Sequence, residues 1–333
     1  MDKPFKTYNQ QMKYLRETKN IECSGSQHKS ILITCGYFNL INGYKTPFII
    51  RTDSSGNHQY IGGTTIDHFK AVKDFDDELR YIILKYITHC EEEIRTLAGH
   101  KFDYLNNDGE TTWFQIESFN PDISAQNKIK VIAKCFTEID KSKQPYVQHY
   151  LNEHSSVPTW IFTKVINFST FIEFLKICKP GVINSLCTLY SIYDLDGNVN
   201  PKLLISMLHW IRKIRNTCAH NERIYGITRE NGRVNAPFEY FLKKPKIYTQ
   251  HRFQKLVDLI IYLRYFLNDH DYLKFISDIQ QSFFKLQGLL NPNAFQKVRA
   301  DTGIRNIAIL DELAANELPR GKPRGIKCAQ LVK

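Results

Sequence analysis

The sequence predicts a mainly α-helical protein that carries one small β-hairpin near its N-terminus. Hydrophobic residues make up 42% of the 333 positions, a proportion that favours a sizeable core over gross disorder. Apolar residues recur at helical spacing through several long segments, most clearly between residues 75 and 97. A single pair of β-rich runs, around the turn DSSGN, is typical of a hairpin at residues 46–61.

The segment before the hairpin is predicted to begin with a short helix within residues 3–22, which opens at Thr7. Residues 28–45, HKSILITCGYFNLINGYK, are apolar and aromatic. Two roles are open for the stretch GYFNLINGY. It packs onto the helical body, which is the interpretation we favour, or it offers Tyr37, Phe38 or Tyr44 for stacking of RNA bases.

The middle of the chain is predicted to be helical. FDDELRYIILKYITHCEEEIRTLA keeps a helical period, and the acids at 76–78 suit the positive end of a helix. A second helix is expected at 124–140, starting at Ser124. WIFTKVINFSTFIEFLKICKP is interpreted as one aromatic, buried helix that Pro180 stops, followed by a short helix at 181–192.

The C-terminal part is also predicted to be helical. Asn200 and Pro201 are a strong start signal, because a capping side chain precedes proline at the first helical position. Further helices are expected at 252–268 and 271–287. The last seventeen residues, ELPRGKPRGIKCAQLVK, are interpreted as a basic flexible tail or a cloning remnant. These observations divide the chain into an N-terminal extension with the hairpin (1–70), a helical domain (71–290), and a C-terminal helix with the tail (291–333).

The net charge and the spacing of the cysteines limit the classes of protein to which the chain can belong. A formal net charge of +11 suits a polyanion partner such as RNA, although a basic protein without such a partner stays open. None of the eight cysteines has C-x2-C spacing, so neither a zinc site nor a cofactor is expected and a reducing compartment is favoured. The N-terminus lacks an apolar signal core, and no segment approaches the ~18 apolar residues of a membrane span. We therefore expect a cytoplasmic protein without a membrane partner.

The segment RNTCAH, residues 215–220, carries the candidate chemistry. An arginine followed by a histidine after four to six residues recurs by chance in a chain of this composition, so spacing alone does not identify a site. The four such pairs are Arg51/His58, Arg95/His100, Arg215/His220 and Arg264/His270. Arg51/His58 spans the predicted hairpin turn and Arg264/His270 ends a helix without an asparagine, so we interpret both as chance.

The helix that ends at RNTCAH is expected to present a polar stripe. Arg212, Asn216 and His220 share one face, because each step of four residues advances only about 40°. Arg215 lies off that face but has a long side chain, and a helix that ran on would return Arg223 to the face of Arg212.

This stripe suits cleavage of a phosphodiester. A histidine moves protons near neutral pH, and the planar fork of an arginine binds phosphate oxygens. An asparagine can hold the imidazole or bind a phosphate oxygen. The competing interpretation is an exposed, polar helix end with a capping histidine near the negative end of the helix dipole.

Four segments are spread along the chain between residues 36 and 225: GYFNLINGYKTPF (36–48), FDDELRYIILKYITHCEEEIRT (75–96), VPTWIFTKVINFST (157–170) and LHWIRKIRNTCAHNERIY (208–225). In this order they resemble the Abi-like abortive-infection proteins, which belong to the HEPN superfamily. The resemblance does not cover the tail after about residue 290, and the combination of four segments is more specific than any single motif.

The resemblance implies a HEPN-type helical bundle, usually paired as a homodimer, with metal-independent endoribonuclease activity in anti-phage or toxin systems. It puts Arg215 and His220 in the catalytic places and Asn216 in the supporting one, while Asn221 and Arg223 continue the block. The expected partners are substrate RNA and a structured regulatory noncoding RNA. Two rivals stay open: a non-catalytic RNA-binding protein, and a structural dimer partner in a larger defence complex.

The resemblance also implies that the first helix of the bundle places polar residues near the site. Glu93 and Arg95 are the matching candidates, which makes Arg95/His100 a secondary site. A structural Glu-Arg pair on the helix is an equally open interpretation. Arg212, Arg223, Asn221 and Arg95 are thus the expected RNA-binding residues, with Glu93 and His100 as auxiliary residues.

Overall fold

The computed structural model of the protein describes residues 4–106, 112–154, 156–194, 196–229 and 253–315. Most of these residues are helical. The described strands β1 (Ile49–Thr52) and β2 (His58–Tyr60) form one antiparallel hairpin in which Thr52 pairs with His58. The prediction of a mainly α fold with a small hairpin is therefore confirmed.

The described α-helices follow one another with short connections. In chain order they are α1 (Tyr8–Lys19), α2 (Gly25–Cys35), α3 (Ile66–Leu105), α4 (Ala125–Asp140), α5 (Pro145–Glu153), α6 (Thr159–Val165), α7 (Phe168–Ile177), α8 (Pro180–Leu189), α9 (Pro201–Ala219), α10 (Leu256–Phe266), α11 (Asp269–Gln287), α12 (Pro292–Thr302) and α13 (Ala308–Ala315). Among them, none combines the length and the apolar character that crossing a bilayer requires.

The N-terminal segment packs onto the helical body. Helix α1 begins after Thr7, as predicted, and Thr7 and Gln10 form a reciprocal capping box. Within GYFNLINGY, Tyr44 is buried and its hydroxyl donates a hydrogen bond to Asp76 of α3, with 3.0 Å between the oxygens. Phe38 is 74% exposed, so the favoured packing role holds for Tyr44 and not for Phe38.

Helix α3 is the centre of the fold. It is 40 residues long and extends beyond the predicted stretch at both ends. One face packs against α6, α8, α9 and α11. Aromatic side chains fix the contact with α11: the ring centroids of Phe75 and Phe283 lie 4.9 Å apart, and those of Tyr86 and Phe275 lie 5.1 Å apart. One continuous hydrophobic core includes residues from all three predicted parts of the chain.

The prediction of one helix from Trp160 to Pro180 is wrong. The chain breaks between α6 and α7, where Arg95 donates hydrogen bonds to the carbonyl oxygens of Thr163 and Ile166, at 2.5 and 2.9 Å. Glu138 of α4 accepts a hydrogen bond from the backbone N–H of Asn167, at 2.6 Å. These side chains from other elements satisfy the backbone groups that a continuous helix would have paired. Pro180 then starts α8.

Helix α9 has the predicted start and the predicted core stripe. The side chain of Asn200 accepts a hydrogen bond from the N–H of Leu203 at 3.1 Å, and proline follows at the first helical position. Helix α10 falls within the segment predicted at 252–268, and α11 begins two residues before the segment predicted at 271–287 and ends with it. Residue 252 and the last seventeen residues lie outside the described residues. The predicted stripe is buried at every position: Leu204, Met207, Leu208, Ile211, Ile214 and Cys218.

Candidate functional site

Helix α9 ends at the candidate site in a hydrogen-bonded turn. The N–H of Asn221 donates to the carbonyl of Cys218 at 3.1 Å, and the N–H of Glu222 donates to that of Thr217 at 3.0 Å. Asn221 has a left-handed φ of 56°, which asparagine tolerates better than most residues. This is the Schellman arrangement of hydrogen bonds, with His220 as the last residue before the turn. The helix therefore does not run on to Arg223.

A cleft of about 490 Å³ lies along the exposed side of α9, and we call it the α9 cleft. Arg212, Asn216 and His220 all line it, which confirms the prediction that these three residues share one face. Asn216 and His220 are exposed, whereas Arg212 is half-buried and donates a hydrogen bond to Ser169 of α7 at 2.9 Å. The cleft also receives cationic side chains from Lys213 and Arg229 and the carboxylate of Glu222.

Arg215 lies beside the cleft. Its side chain is 39% exposed, and its Nε is 3.3 Å from Oε2 of Glu91 on α3. Its Nη1 donates a hydrogen bond to Oδ1 of Asn216 at 3.2 Å. Asn216 thus connects the arginine to the cleft that His220 lines, although Arg215 itself does not line that cleft.

Glu91 is a site residue that the sequence analysis missed. Its Oε1 accepts two hydrogen bonds from Arg95, at 3.1 and 2.7 Å, while its Oε2 faces Arg215. One buried carboxylate therefore lies between two arginines. Glu91 precedes Arg95 by four residues, which is the spacing of a helical ion pair and a signal that could have found it.

Arg95 lies inside the protein. Its guanidinium is directed at Glu91 and at the two carbonyls of the α6–α7 break, and it stacks over the rings of Phe168 and Phe171. Burial lowers the pKa of Arg95, an effect that the Glu91 carboxylate opposes. The donors that the sequence analysis assigned to RNA are directed at protein acceptors.

Three other predicted residues lie away from the α9 cleft. The carboxylate of Glu93 accepts a hydrogen bond from the hydroxyl of Tyr190 at 3.0 Å. His100 is exposed and lies nine residues beyond Glu91, about 13 Å further along α3. Arg223 donates a hydrogen bond to the carbonyl of Gly43 at 2.7 Å, so it holds the N-terminal segment.

Asp76 fixes the chain just after the site. This fully buried carboxylate accepts hydrogen bonds from the backbone N–H groups of Ile224 and Tyr225, at 3.0 and 2.8 Å. Arg80 pairs with Asp76 and also donates to the carbonyl of Glu222 at 3.1 Å. The turn that follows His220 is therefore attached to α3 by ionic and backbone hydrogen bonds.

His209 is a second imidazole in the α9 cleft. Burial lowers its pKa to about 4, and the neighbouring cations of Lys176 and Arg212 add to this shift. The ring is therefore uncharged at neutral pH. The sequence analysis missed His209, although the steps of three, four and four residues from 209 to 212, 216 and 220 place it on the same helical face.

The described residues contain no group of three or more His, Cys, Asp or Glu side chains placed to hold a metal ion. Their cysteines are mostly buried, and burial raises the pKa of Cys218 in α9 to about 12. The thiol within RNTCAH is therefore protonated and packs in the core as a small apolar group.

The fold and the cleft define a mainly helical protein with a basic, histidine-containing cleft along the exposed side of one helix. The chain belongs to the Abi-like protein family, whose model matches residues 30–226, more than half of its length. Membership of this family points to a role in abortive infection. Comparisons with curated proteins and with solved structures gave no significant match.

Proposed function

We propose that the protein is a metal-independent endoribonuclease with a HEPN-type bundle, which acts as an anti-phage effector or toxin and is regulated by a bound structured RNA. The observation that supports this most is the α9 cleft, where His220, Asn216 and Arg212 lie together and Arg215 contacts Asn216. An exposed imidazole beside fixed cations is the combination that phosphodiester cleavage requires.

The proposed reaction uses the RNA itself as the nucleophile. The 2′-oxygen attacks the adjacent phosphorus and forms a P–O2′ bond, and the bond from phosphorus to the 5′-oxygen of the next nucleotide breaks. A base takes the proton of the 2′-hydroxyl, and an acid protonates the departing 5′-oxygen. His220 exchanges these protons, and Arg215 stabilises the charge on the phosphorane, while Asn216 orients Arg215.

The proposed chemistry is served best by two imidazoles at one phosphate. His209 lies eleven residues from His220 along α9, which is about 16 Å and too far to act on the same phosphate. We therefore propose that a second copy of the chain supplies the second His220, through a two-fold interface at RNTCAH.

A second candidate function is RNA binding without cleavage. The observation that favours it is the contact of Arg215 with Glu91, because that carboxylate occupies part of the guanidinium. In this alternative the basic cleft binds RNA through Arg212, Lys213 and Arg229, and His220 has no chemical role.

The experiment that separates the two functions uses a cleavable RNA and the same RNA with one 2′-deoxy nucleotide at the cut site. Attack by the 2′-oxygen predicts cleavage of the first in the presence of EDTA, 2′,3′-cyclic phosphate ends or their opened form, and no cleavage of the second. Binding without cleavage of either RNA supports the alternative. Efficient cleavage at the 2′-deoxy position excludes the proposed mechanism.

A further inference from the structure

A second cleft lies beside helix α7, which packs against both α4 and α9. It has a volume of about 700 Å³ and lies against α4 and the end of α7, and we call it the α4 cleft. Glu173 and Lys176 of α7 line it, and the charges of these same two residues act on His209 in the α9 cleft. Helix α7 therefore connects the two helices, α4 and α9, that carry the two clefts.

Helix α4 presents a polar row to its cleft. Asn127, Lys130 and Lys134 follow one another at steps of three and four residues, so they lie on one face, and all three line the cleft. Lys130 and Lys134 are exposed. Ser124, which caps α4, lies at the same opening, where the helix dipole adds a partial positive charge.

The two clefts together carry an excess of positive charge. Lys130, Lys134 and Lys176 face Asp122 and Glu173 in the α4 cleft. Lys176 and Glu173 form an ion pair at 2.8 Å, with both side chains about two-fifths exposed. An exposed pair of this kind is weak, so Lys176 can exchange Glu173 for a phosphate. The α9 cleft adds Arg212, Lys213 and Arg229 against Glu222.

His209 lines the α9 cleft, and the charge of Lys176 from the α4 cleft acts on its ring. Because its ring is uncharged at neutral pH, it offers a flat aromatic surface and hydrogen-bonding nitrogens rather than a further charge. Bases of single-stranded RNA stack on such side chains, whereas the bases of an A-form duplex are largely inaccessible. A surface that combines several cations with one neutral imidazole therefore suits single-stranded RNA.

We propose that single-stranded RNA extends from His220 along α9, past His209, and into the α4 cleft, where Lys130, Lys134 and Lys176 bind its phosphates. This inference rests on the proposed function and specifies its substrate as a single strand of several nucleotides. It assigns His209 to a base away from the scissile phosphate, since the histidine lies about 16 Å from His220 along the helix.

The test measures RNA binding on a His220→Ala chain, so that cleavage does not interfere. Single-stranded RNAs of about 4 and about 16 nucleotides, which span the usual site sizes, are titrated over a range of salt concentrations. The double variant Lys130→Gln/Lys134→Gln removes two expected phosphate contacts. The matched control is Lys13→Gln/Lys274→Gln, which neutralises two exposed lysines on α1 and α11.

We expect the longer RNA to bind more tightly than the shorter one. For the longer RNA, the double variant should reduce the slope of log K against log salt by about 0.7 per lysine, while the control pair leaves the slope unchanged. An unchanged slope in the Lys130/Lys134 variant overturns the proposal. Equally tight binding of a duplex of the same length overturns the assignment to single strands.

The proposed RNA path and the proposed ribonuclease activity can be disproved independently of each other. If the native chain cleaves RNA but the Lys130/Lys134 variant binds the long strand as the control does, the α4 cleft is not part of the RNA path. If the long strand binds through these lysines but the native chain cleaves no RNA, the path is correct and the proposed ribonuclease activity is wrong.

Discussion

At the residue scale, the role that the structure gives to Arg95 differs from the role that its sequence motif predicts. Its spacing to His100 matches the catalytic pattern, yet its guanidinium is buried and pairs with Glu91 and two backbone carbonyls. A buried arginine with this set of partners stabilises the break between α6 and α7. Sequence spacing cannot reveal this role, because the two carbonyls lie about 70 residues away in the chain.

We predict that Arg95→Ala lowers the free energy of unfolding by about 3–5 kcal/mol, because it leaves a buried carboxylate and two carbonyls without their donors. Urea unfolding followed by circular dichroism measures this change. The control is Arg51→Ala on the exposed hairpin, which should stay within about 0.5 kcal/mol of the native protein. Normal stability of Arg95→Ala together with weakened RNA binding would restore the role expected from the sequence.

The second residue-scale prediction concerns pH. The folded state depresses the pKa of His209 to about 4, through burial and the cations of Lys176, Arg212 and Arg229, with Glu173 opposing. The unfolded chain binds this proton at a higher pH, near the ordinary value of about 6.5. Stability that depends on the neutral ring is therefore lost as the pH falls from about 6.5 towards 4.

We expect His209→Asn to lose less stability than the native protein over this pH range, because asparagine has no proton to bind. Thermal unfolding at a series of pH values from 7 to 4 measures the difference between the two proteins. If the melting temperatures of the two proteins changed with pH to the same extent, His209 would not be the group whose pKa is lowered by folding.

At the element scale, the ends of α9 were largely predictable from sequence. The start depends on the local pair Asn200 and Pro201, and the apolar stripe depends on spacing within the helix. The placement of the turn after His220 was not predictable, because it depends on Asp76 and Arg80 of α3. The break between α6 and α7 was missed for the same reason: its stabilising side chains come from α3 and α4.

We predict that Asp76→Asn destabilises the protein by about 3 kcal/mol or more, because it removes the charge that Arg80 pairs with and that two backbone N–H groups contact. The cleavage rate should fall as well, since the turn after His220 loses its attachment to α3. Urea unfolding and single-turnover cleavage measure the two effects.

The control for this change is Asp74→Asn, on the same helix. Its exposed pair with Lys70 should contribute at most about 1 kcal/mol. Equal behaviour of the two variants would mean that the buried cluster does not position the site.

At the scale of the whole molecule, the mainly helical class and the hairpin followed from periodicity and turn chemistry. The candidate site followed only in part. Arg212, Asn216 and His220 share a face as helical spacing requires, whereas Glu91 reaches the site from another helix. Pairing between distant helices carries no signal in one sequence, so this part of the site required the structure.

The assembly is a further prediction at this scale. We expect a homodimer with RNTCAH at its interface, because one chain supplies a single His220 to the proposed reaction and a two-fold axis would add a second. Sedimentation equilibrium over a range of protein concentrations measures the oligomeric state. A strict monomer that cleaves RNA at the full rate would contradict the shared site.

The measurement that tests the central claim most directly is the rate of RNA cleavage by His220→Ala compared with His270→Ala. Both histidines are exposed and both follow an arginine within a similar spacing, but only His220 lines the α9 cleft with Asn216. We predict that His220→Ala slows cleavage by about 10²–10⁴-fold with folding and RNA binding retained, and that His270→Ala cleaves at the native rate. Native-rate cleavage by His220→Ala, or an equal loss in both variants, would contradict the assignment of the α9 cleft as the active site.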